Sequence, residues 1–520
     1  SDVCSSDLAG ADTPFTLDLA VIRDGSIGYL DHATGRAVQI GGIDAEARLA
    51  DYEGPLELAL SGEMSGQAIV ANATVGTFRQ AYEGAVVPVD VTARVGDATL
   101  EFTGRGGMQP LAAEGQIEAE LGDLSDIAAL MALEAPDLPE GLGARSVDIA
   151  GKLTRSGEGD LYLRGGRIAL DETVLTGDLD LRLGGDRPKL AGKLATAALA
   201  LGSDSTDGGN VAGSVAGGTG WPDAPLSADG LKVADVDLAL SADAVRLGSV
   251  RLEGMRANIT VDAGRAVVDL GTVGAYGGTL AGQIVVHARK GFSVGGRLDF
   301  ADVALQPMLV DVAGYDRLIG TGDLSLDFVA AGQSVAALMR GVDGQGRLAL
   351  GAGEIRGIDV PAMLATLDAR DLGPEEKTVF DALDASFRIE QGDLFNDDLN
   401  LQSPYLRASG GGRVGLGARD FDYRLRATAL QGVDGADRIA VPIWISGPWA
   451  SPKVSLDLEA LAQERLGEQA KAAEDELRRR AAEELGQREG ESLEDAAKRK
   501  LQDELNDQAG SLLEQLLGGN

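Results

Sequence analysis

Among side chains able to do acid-base, nucleophilic or metal chemistry, histidine and cysteine are scarce in this sequence, and the 82 acidic residues show no catalytic or metal-ligating spacing. Its two histidines, His32 and His287, lie far apart, each among strand-like or turn-like residues. A Ser-His-Asp relay or a histidine metal site has little material here. The acidic pairs Asp397-Asp398 and Glu375-Glu376 invite a general-acid or calcium reading, but neither has the spacing of a carboxylate loop, and solvated turns account for them. Gly41-Gly42 and Gly410-Gly411-Gly412 lack the strand-to-helix setting and the following Lys-Ser or Lys-Thr of a phosphate loop, so they read as bends in strands. The one cysteine, Cys4, stands in the opening SDVCSSDL, which looks like a translated sequencing adapter, and Ser1 to Leu8 is set aside on that ground. The remainder offers no thiolate nucleophile, disulfide or cysteine-ligated metal. No catalytic residue, metal ligand or cofactor is assigned, and the expectation is a protein that is not an enzyme.

The elements that would have to position a site are strands. From Pro14 to about Asp457, apolar residues alternate with polar ones in short runs closed by Gly, Asp, Asn or Ser, as strands facing two environments require. Val236, Leu238 and Leu240 form one such run, followed by Val250 and Leu252, then by Ile259 and Val261. Leu324, Leu326 and Phe328 repeat the pattern far downstream. Connections as short as Asp262-Ala263-Gly264-Arg265 suit antiparallel meanders and leave no room for crossover helices over most of the length. About 30 strands in one sheet would extend ~140 Å. Three interruptions have helical spacing or composition: Asp123 to Leu133, Val360 to Asp371 and Glu376 to Asp384.

The chain accordingly divides into a β region over 9–202, a Gly, Ser and Asp-rich loop over 203–220, a second β region over 221–457 and a charged helical tail over 458–520. In the tail, Ser492 with Asp495 makes a helix start, and Leu493, Ala497, Leu501, Leu505, Leu512 and Leu516 fall on one stripe that needs a partner: the protein's own sheet end or the other tail helix is expected, with coiled-coil association or contact with a bilayer or partner protein as alternatives. The fold expected is mainly β: a long, curved antiparallel sheet forming an apolar groove, with a few short helices and the helical tail.

With 73 glycines and aromatics at only 4%, such a sheet would be strongly twisted and lined by medium-sized Val, Leu, Ile and Ala. An open apolar trough of that kind suits acyl chains. Exposing a chain of roughly 16 carbons to water costs about 12 kcal/mol at ~0.8 kcal/mol per methylene. Val236, Leu238, Leu240, Val250, Leu252, Ile259, Val261, Leu324, Leu326 and Phe328 are the residues expected to face it. The net charge of -36 repels nucleic acid phosphates and anionic bilayer surfaces, so no nucleic acid partner is expected.

Several segments carry a resemblance. Leu247 to Val286 (LGSVRLEGMRANITVDAGRAVVDLGTVGAYGGTLAGQIVV) resembles the AsmA family's paired strands, Tyr-Gly-Gly and returning strand. Val21 to Gly35 and Gly185 to Leu194 are similar to its amino-terminal and middle repeats. Gly353 to Leu364, Glu375 to Leu394 and Val441 to Asp457 are similar to its carboxyl-terminal domain. The family motifs at Tyr276, Gly277 and Gly278, and at Trp449 with Pro452, read as turn and packing residues. The resemblance implies a periplasmic β-rich body anchored to the inner membrane by an amino-terminal helix absent from this chain. It also implies a part in outer-membrane maintenance and kinship with bridge-like lipid carriers. A carrier of phospholipid or another acyl lipid is therefore expected. The alternatives are a structural factor for outer-membrane protein assembly, with outer-membrane or periplasmic protein partners, and a β-solenoid adhesin, which no strict repeat period supports.

Overall fold

The structure, a computed structural model, describes residues 16–31, 36–64, 66–125, 128, 141–185, 187–201, 220–289, 291–366, 372–430, 440–488 and 490–517. The amino-terminal strands are β1 (Leu17–Asp31), β2 (Arg36–Leu49), β3 (Pro55–Met64), β4 (Gln67–Thr77), β5 (Val87–Val95), β6 (Ala98–Met108), β7 (Leu111–Glu120), β8 (Val147–Arg155), β9 (Leu161–Leu170), β10 (Thr173–Arg182) and β11 (Lys189–Leu201). The middle strands are β12 (Asp235–Leu247), β13 (Val250–Asp262), β14 (Arg265–Ala275), β15 (Gly278–His287), β16 (Ser293–Ala304), β17 (Leu318–Ala331) and β18 (Asp343–Ile358). The last are β19 (Leu372–Phe380), β20 (Ala382–Glu390), β21 (Asp393–Gln402), β22 (Leu406–Gly415), β23 (Asp420–Ala429), β24 (Ala440–Pro448) and β25 (Lys453–Leu456). Helices are α1 (Phe78–Tyr82), α2 (Leu305–Ala313), α3 (Val335–Arg340), α4 (Val360–Thr366), α5 (Leu458–Leu485) and α6 (Leu493–Leu517).

All 25 described strands join one open sheet, each pairing with its neighbour in sequence except β19 and β20. On β18 the two strands β19 and β20 share one edge in succession, with Ile355 opposite Thr378 and Leu348 opposite Ala385. The sheet extends on the order of 110 Å along its hydrogen-bonding direction, five strands short of the number expected from the alternation. Tight hairpins explain the regularity. Ala263-Gly264, Tyr276-Gly277 and Gln391-Gly392 all take positive φ at both positions, the turn whose twist matches that of paired strands. One pairing, β11 with β12, is parallel, which makes the sheet mixed. Two strands running the same way need a connection as long as the strands themselves, and 202–234 supplies it. Its described part runs under the far ends of later strands: Trp221 Nε1 donates to the Leu416 carbonyl at 2.7 Å, and Leu226 N to Gln333 O at 2.8 Å.

Curvature comes from β-bulges repeated along the sheet, since each bulge bends its strand and increases twist. Register shifts fall between Ile22 and Gly25, Leu270 and Val273, Phe300 and Val303, and Asn396 and Leu399. A bulged residue loses its ladder partner, and a carboxylate on the next strand recurrently accepts its free N–H. Asp44 takes the amide of Asp24 at 3.1 Å, Asp178 that of Gly165 at 2.9 Å, Asp323 that of Asp302 at 3.0 Å and Asp398 that of Ser386 at 2.8 Å. In β13 the phase change occurs at Gly254, φ +61°, which lets Leu252 and Met255 be buried on one face although three residues apart. Part of the excess of Asp is thus built into the backbone.

Several sequence expectations change. Glu376 to Asp384 is extended, not helical: Phe380 and Leu383 are buried while Val379 is exposed, and Thr378 Oγ1 donates to Ile358 O at 2.8 Å and accepts from Val360 N at 3.0 Å. The long β18 offered an open edge there, and pairing overrode the helical propensity of the segment. The helix begun at Val360 is described only to Thr366. Of Asp123 to Leu133, only 123–125 and 128 are described, and the 203–220 loop apart from Gly220, like Ser1 to Leu8, lies outside the described residues. The acidic pairs sit in strands rather than solvated turns, with Asp397-Asp398 in the β21 bulge and Glu375-Glu376 in β19. Gly41-Gly42 and Gly410-Gly411-Gly412 are strand bends, in β2 and β22.

The tail forms two helices. The α6 start is as expected, Ser492 Oγ accepting from Asp495 N at 3.1 Å. Only its first turns pack against the end of α5, through buried Ala496 and through Arg499, which donates to Gly486 O at 2.8 Å and pairs with Glu491 at 3.0 Å. Beyond them Leu501, Leu505 and Leu512 are exposed, so neither expected partner covers the stripe.

Candidate functional site

Alternation places every second side chain on one face, and the strand register carries that face across the whole sheet. In the amino-terminal part, Leu58 lies beside Ala73, Ala73 beside Val91, Val91 beside Phe102 and Phe102 beside Ile117. Further on, Leu153 lies beside Leu163 and Leu163 beside Leu179. The parallel join preserves the phase by setting Gly192 beside Leu238 and Leu194 beside Leu240. The row continues through Ile259, Val268 and Ile284. The opposite face is polar: Asn258 lies beside Asp269, Gln283 beside Arg297, and Arg297 Nε donates to Asp327 at 2.7 Å.

How deeply that apolar face is covered changes along the molecule. Near the amino terminus it is open: Ile22 is 56% exposed and Leu58 39% exposed, around an apolar hollow of about 360 Å³ lined by Ala20, Ala45, Ala47, Leu60, Ala71 and Ala73. In the middle, curvature shades it, and Ala242, Val245, Met255 and Val273 are buried while Leu240, Ile259, Val268 and Leu298 pack half-buried beside them. From β17 onward the face is covered. Leu305 and Met308 of α2 and Met363 of α4 join Leu350, Phe380, Leu401, Leu406 and Ile443 in the largest core, where Met363 is fully buried.

The covering segment is fastened from the far side of the coiled sheet. Arg419 Nη2 donates to Ala313 O at 2.6 Å, capping the carboxyl end of α2. Its guanidinium lies 5.2 Å from the Trp221 ring centroid and 5.5 Å from that of Trp449. Burial pushes this guanidinium below its ordinary pKa, though it stays charged at any ordinary pH. Tyr315 and Phe421 complete the cluster edge-on, at 6.2 Å. Trp449 is thus a packing residue, and Tyr276 a turn residue whose phenol burial pushes to higher pKa, helped by Asp311. Beneath this lid remains a pocket of about 690 Å³, within the range of small-ligand sites.

The ten residues expected on the trough all lie on the apolar face, but in unequal surroundings. Val236, Leu238, Leu240, Val250 and Ile259 are half-buried, whereas Leu252 and Val261 are buried. Leu324 packs against the large core. Leu326 and Phe328 sit with Leu338 of α3 in a separate cluster around Val342 and Ile389. The amino-terminal lining residues Ile22, Leu58 and Leu60 escaped sequence reasoning, although the same alternation in PLELALSG marks Leu58 and Leu60. His287 ends β15 opposite Ser293, remote from the 690 Å³ pocket. Among the described residues no group of three His, Cys, Asp or Glu side chains is placed to hold a metal, and no helix is long and apolar enough to cross a membrane.

No curated protein and no solved structure matches the chain. The model of the AsmA family does match, over residues 210–399, which take in β12 to most of β21 with the Tyr276-Gly277 hairpin and both covering helices, so over this stretch the chain is similar to the AsmA family.

Proposed function

We propose that the protein is a non-enzymatic carrier of phospholipid acyl chains, which lie on the apolar face of the sheet while head groups stay in water, and that it works in the periplasm between inner and outer membranes. The observation that carries this reading is a single apolar face continuous through the strands, with medium-sized side chains left half-covered where an ordinary domain would bury them. Apolar surface left open on this scale marks a binding surface. The match to the AsmA family over 210–399 supports an envelope role, and the location rests on that alone. The reading is tested by lipid extraction and mass spectrometry of the purified chain. Phospholipid should co-purify, and Leu58→Asp with Leu238→Asp should remove most of it while tryptophan emission and strand content are unchanged. Folded variants that keep their lipid overturn the proposal. Leu252 is unsuitable for such a test because it is buried, and a charge there unfolds its surroundings.

A second reading, a structural factor for outer-membrane protein assembly, draws on the exposed leucines of α6. It requires a protein partner that is lost when 458–520 is deleted.

A further inference from the structure

We infer that the covered carboxyl-terminal end is a seat for one tail of a phospholipid, with its phosphate held by Arg317 at the pocket mouth; this rests on the acyl-carrier reading above. The 690 Å³ pocket is walled by Leu318, Ile355, Leu383, Leu399, Phe421 and Leu425, so its interior takes hydrocarbon. Beside the phenols of Tyr315 and Tyr423, the lining carries three charged groups, Asp316, Arg317 and Arg356, and the exposure of Asp316 and Arg356 marks where it opens to water, the mouth. The two arginines are not equivalent. Arg356 is already engaged, its Nε donating to Glu354 at 3.0 Å, and Glu354 also binds Lys377 at 2.8 Å.

Arg317 has no carboxylate within ion-pair distance among the described residues. Its hydrogen bond goes to the Ala450 carbonyl at 3.3 Å, which leaves most of its five donors free. The backbone makes room for it. Gly357, at φ +93°, packs against the guanidinium: a Cβ there would stand 2.7 Å from Arg317 Nη1 and displace it. In a chain of net charge -36, a cation without an acidic partner beside an apolar cavity complements an anionic head on a hydrocarbon tail. The planar fork matches two phosphate oxygens, and the clamp of Arg419 on Ala313 holds the neighbouring segment in place.

The experiment is equilibrium binding by the full chain of three probes below their micellar concentrations: palmitoyl lysophosphatidate, palmitate and neutral monopalmitin. Lysophosphatidate should bind with one-to-one stoichiometry and most tightly. Arg317→Gln should weaken it about tenfold and leave monopalmitin unchanged, as expected for one charged contact. Leu318→Trp, which fills the mouth, should weaken all three, with tryptophan emission checking the fold. Arg317→Gln binding lysophosphatidate as the wild type does, or losing all three probes equally, overturns the assignment, and palmitate binding as tightly as lysophosphatidate overturns the phosphate. Leu58→Asp separates this inference from the carrier reading: it acts on the open face, far from Arg317, and should leave the one-to-one site intact.

Discussion

The two ends of the sheet are held in shape by different forces. From β17 to β25 the strands wrap α2 and α4, and their order comes from burial: Met363, Leu406, Val441 and Ile443 have almost no exposed surface. From β1 to β10 the same alternation leaves Ile22 and Leu58 open, and the helix α1 there is only five residues long. There the backbone is held by carboxylates. Asp171, in the β9–β10 turn, accepts five amides, those of Gly141, Gly143 and Ala144 on one oxygen and those of Arg145 and Ser146 on the other. A face left open is not stabilised by filling, so its curvature has to come from bulges and the groups that satisfy them.

The sharpest way to break this contrast is to remove equivalent apolar bulk from each end. Met363→Ala should cost about 2–5 kcal/mol, the usual price of a core cavity, and Leu58→Ala less than about 1 kcal/mol, since much of its side chain already meets water. Trp444 and Trp449 lie in the carboxyl-terminal strands and Trp221 packs on them through the Leu416 carbonyl and the Trp449 ring, so urea unfolding followed by tryptophan emission reads that end selectively. Met363→Ala should lower that midpoint strongly and Leu58→Ala should not move it. Equal midpoints for the two variants would mean the ends are not differently packed.

Next in size is the bond that joins α4 to the sheet. Thr378 is buried, and its hydroxyl satisfies both Ile358 O and Val360 N. Thr378→Val keeps the shape and strands both backbone groups, at a cost of about 1–3 kcal/mol. Hydrogen exchange should show lost protection in 358–364 specifically. Unchanged exchange there would show that α4 is held by its apolar side chains alone.

Acid should act on the opposite end. Burial pushes the Asp171 carboxyl up, but the amides of Arg145, Ser146, Gly143 and Gly141 outweigh it and hold the folded pKa below the ordinary carboxylate value. A depressed folded pKa contributes stability that is present above the unfolded pKa, about 4, and is lost as pH falls through the folded value. In the covered end Asp398 is lowered likewise by the hydroxyl and amide of Ser386, but there buried side chains such as Leu401 and Ile389 hold the strands as well. Protection of 141–146 should therefore decline below about pH 4, and Asp171→Asn should produce at neutral pH a loss of about 1–2 kcal/mol at that turn. Protection in that turn that is insensitive to both changes would remove the carboxylate account of the open end.

These differences explain what the sequence could show. Alternation such as Leu324-Ser325-Leu326-Asp327-Phe328 is a local signal, and it correctly put all ten chosen residues on one face. Whether a face is open or covered is not local: Leu326 and Leu238 look alike in sequence, yet one lies in the cluster with Leu338 of α3 and the other does not. The lid is equally hidden, because Arg419, Trp221 and Ala313 meet only after the sheet has coiled. The parallel join was masked by a long connection without periodicity. At Glu376 to Asp384 composition misled outright, since the edge of β18 lies some twenty residues away in sequence.

The smallest expected effect concerns the tail, where the sequence asked for a partner and the fold supplies one only to the first turns of α6. Leu505 is 59% exposed, and no described contact of the sheet depends on it. Leu505→Asp should therefore change the tryptophan-monitored midpoint by no more than about 0.5 kcal/mol. It should equally leave lipid occupancy unaltered if the sheet alone carries the chains. A marked loss of bound lipid in this stably folded variant would instead make the leucine stripe part of how the cargo is received, and would join to the open end a region that the strand register leaves separate from it.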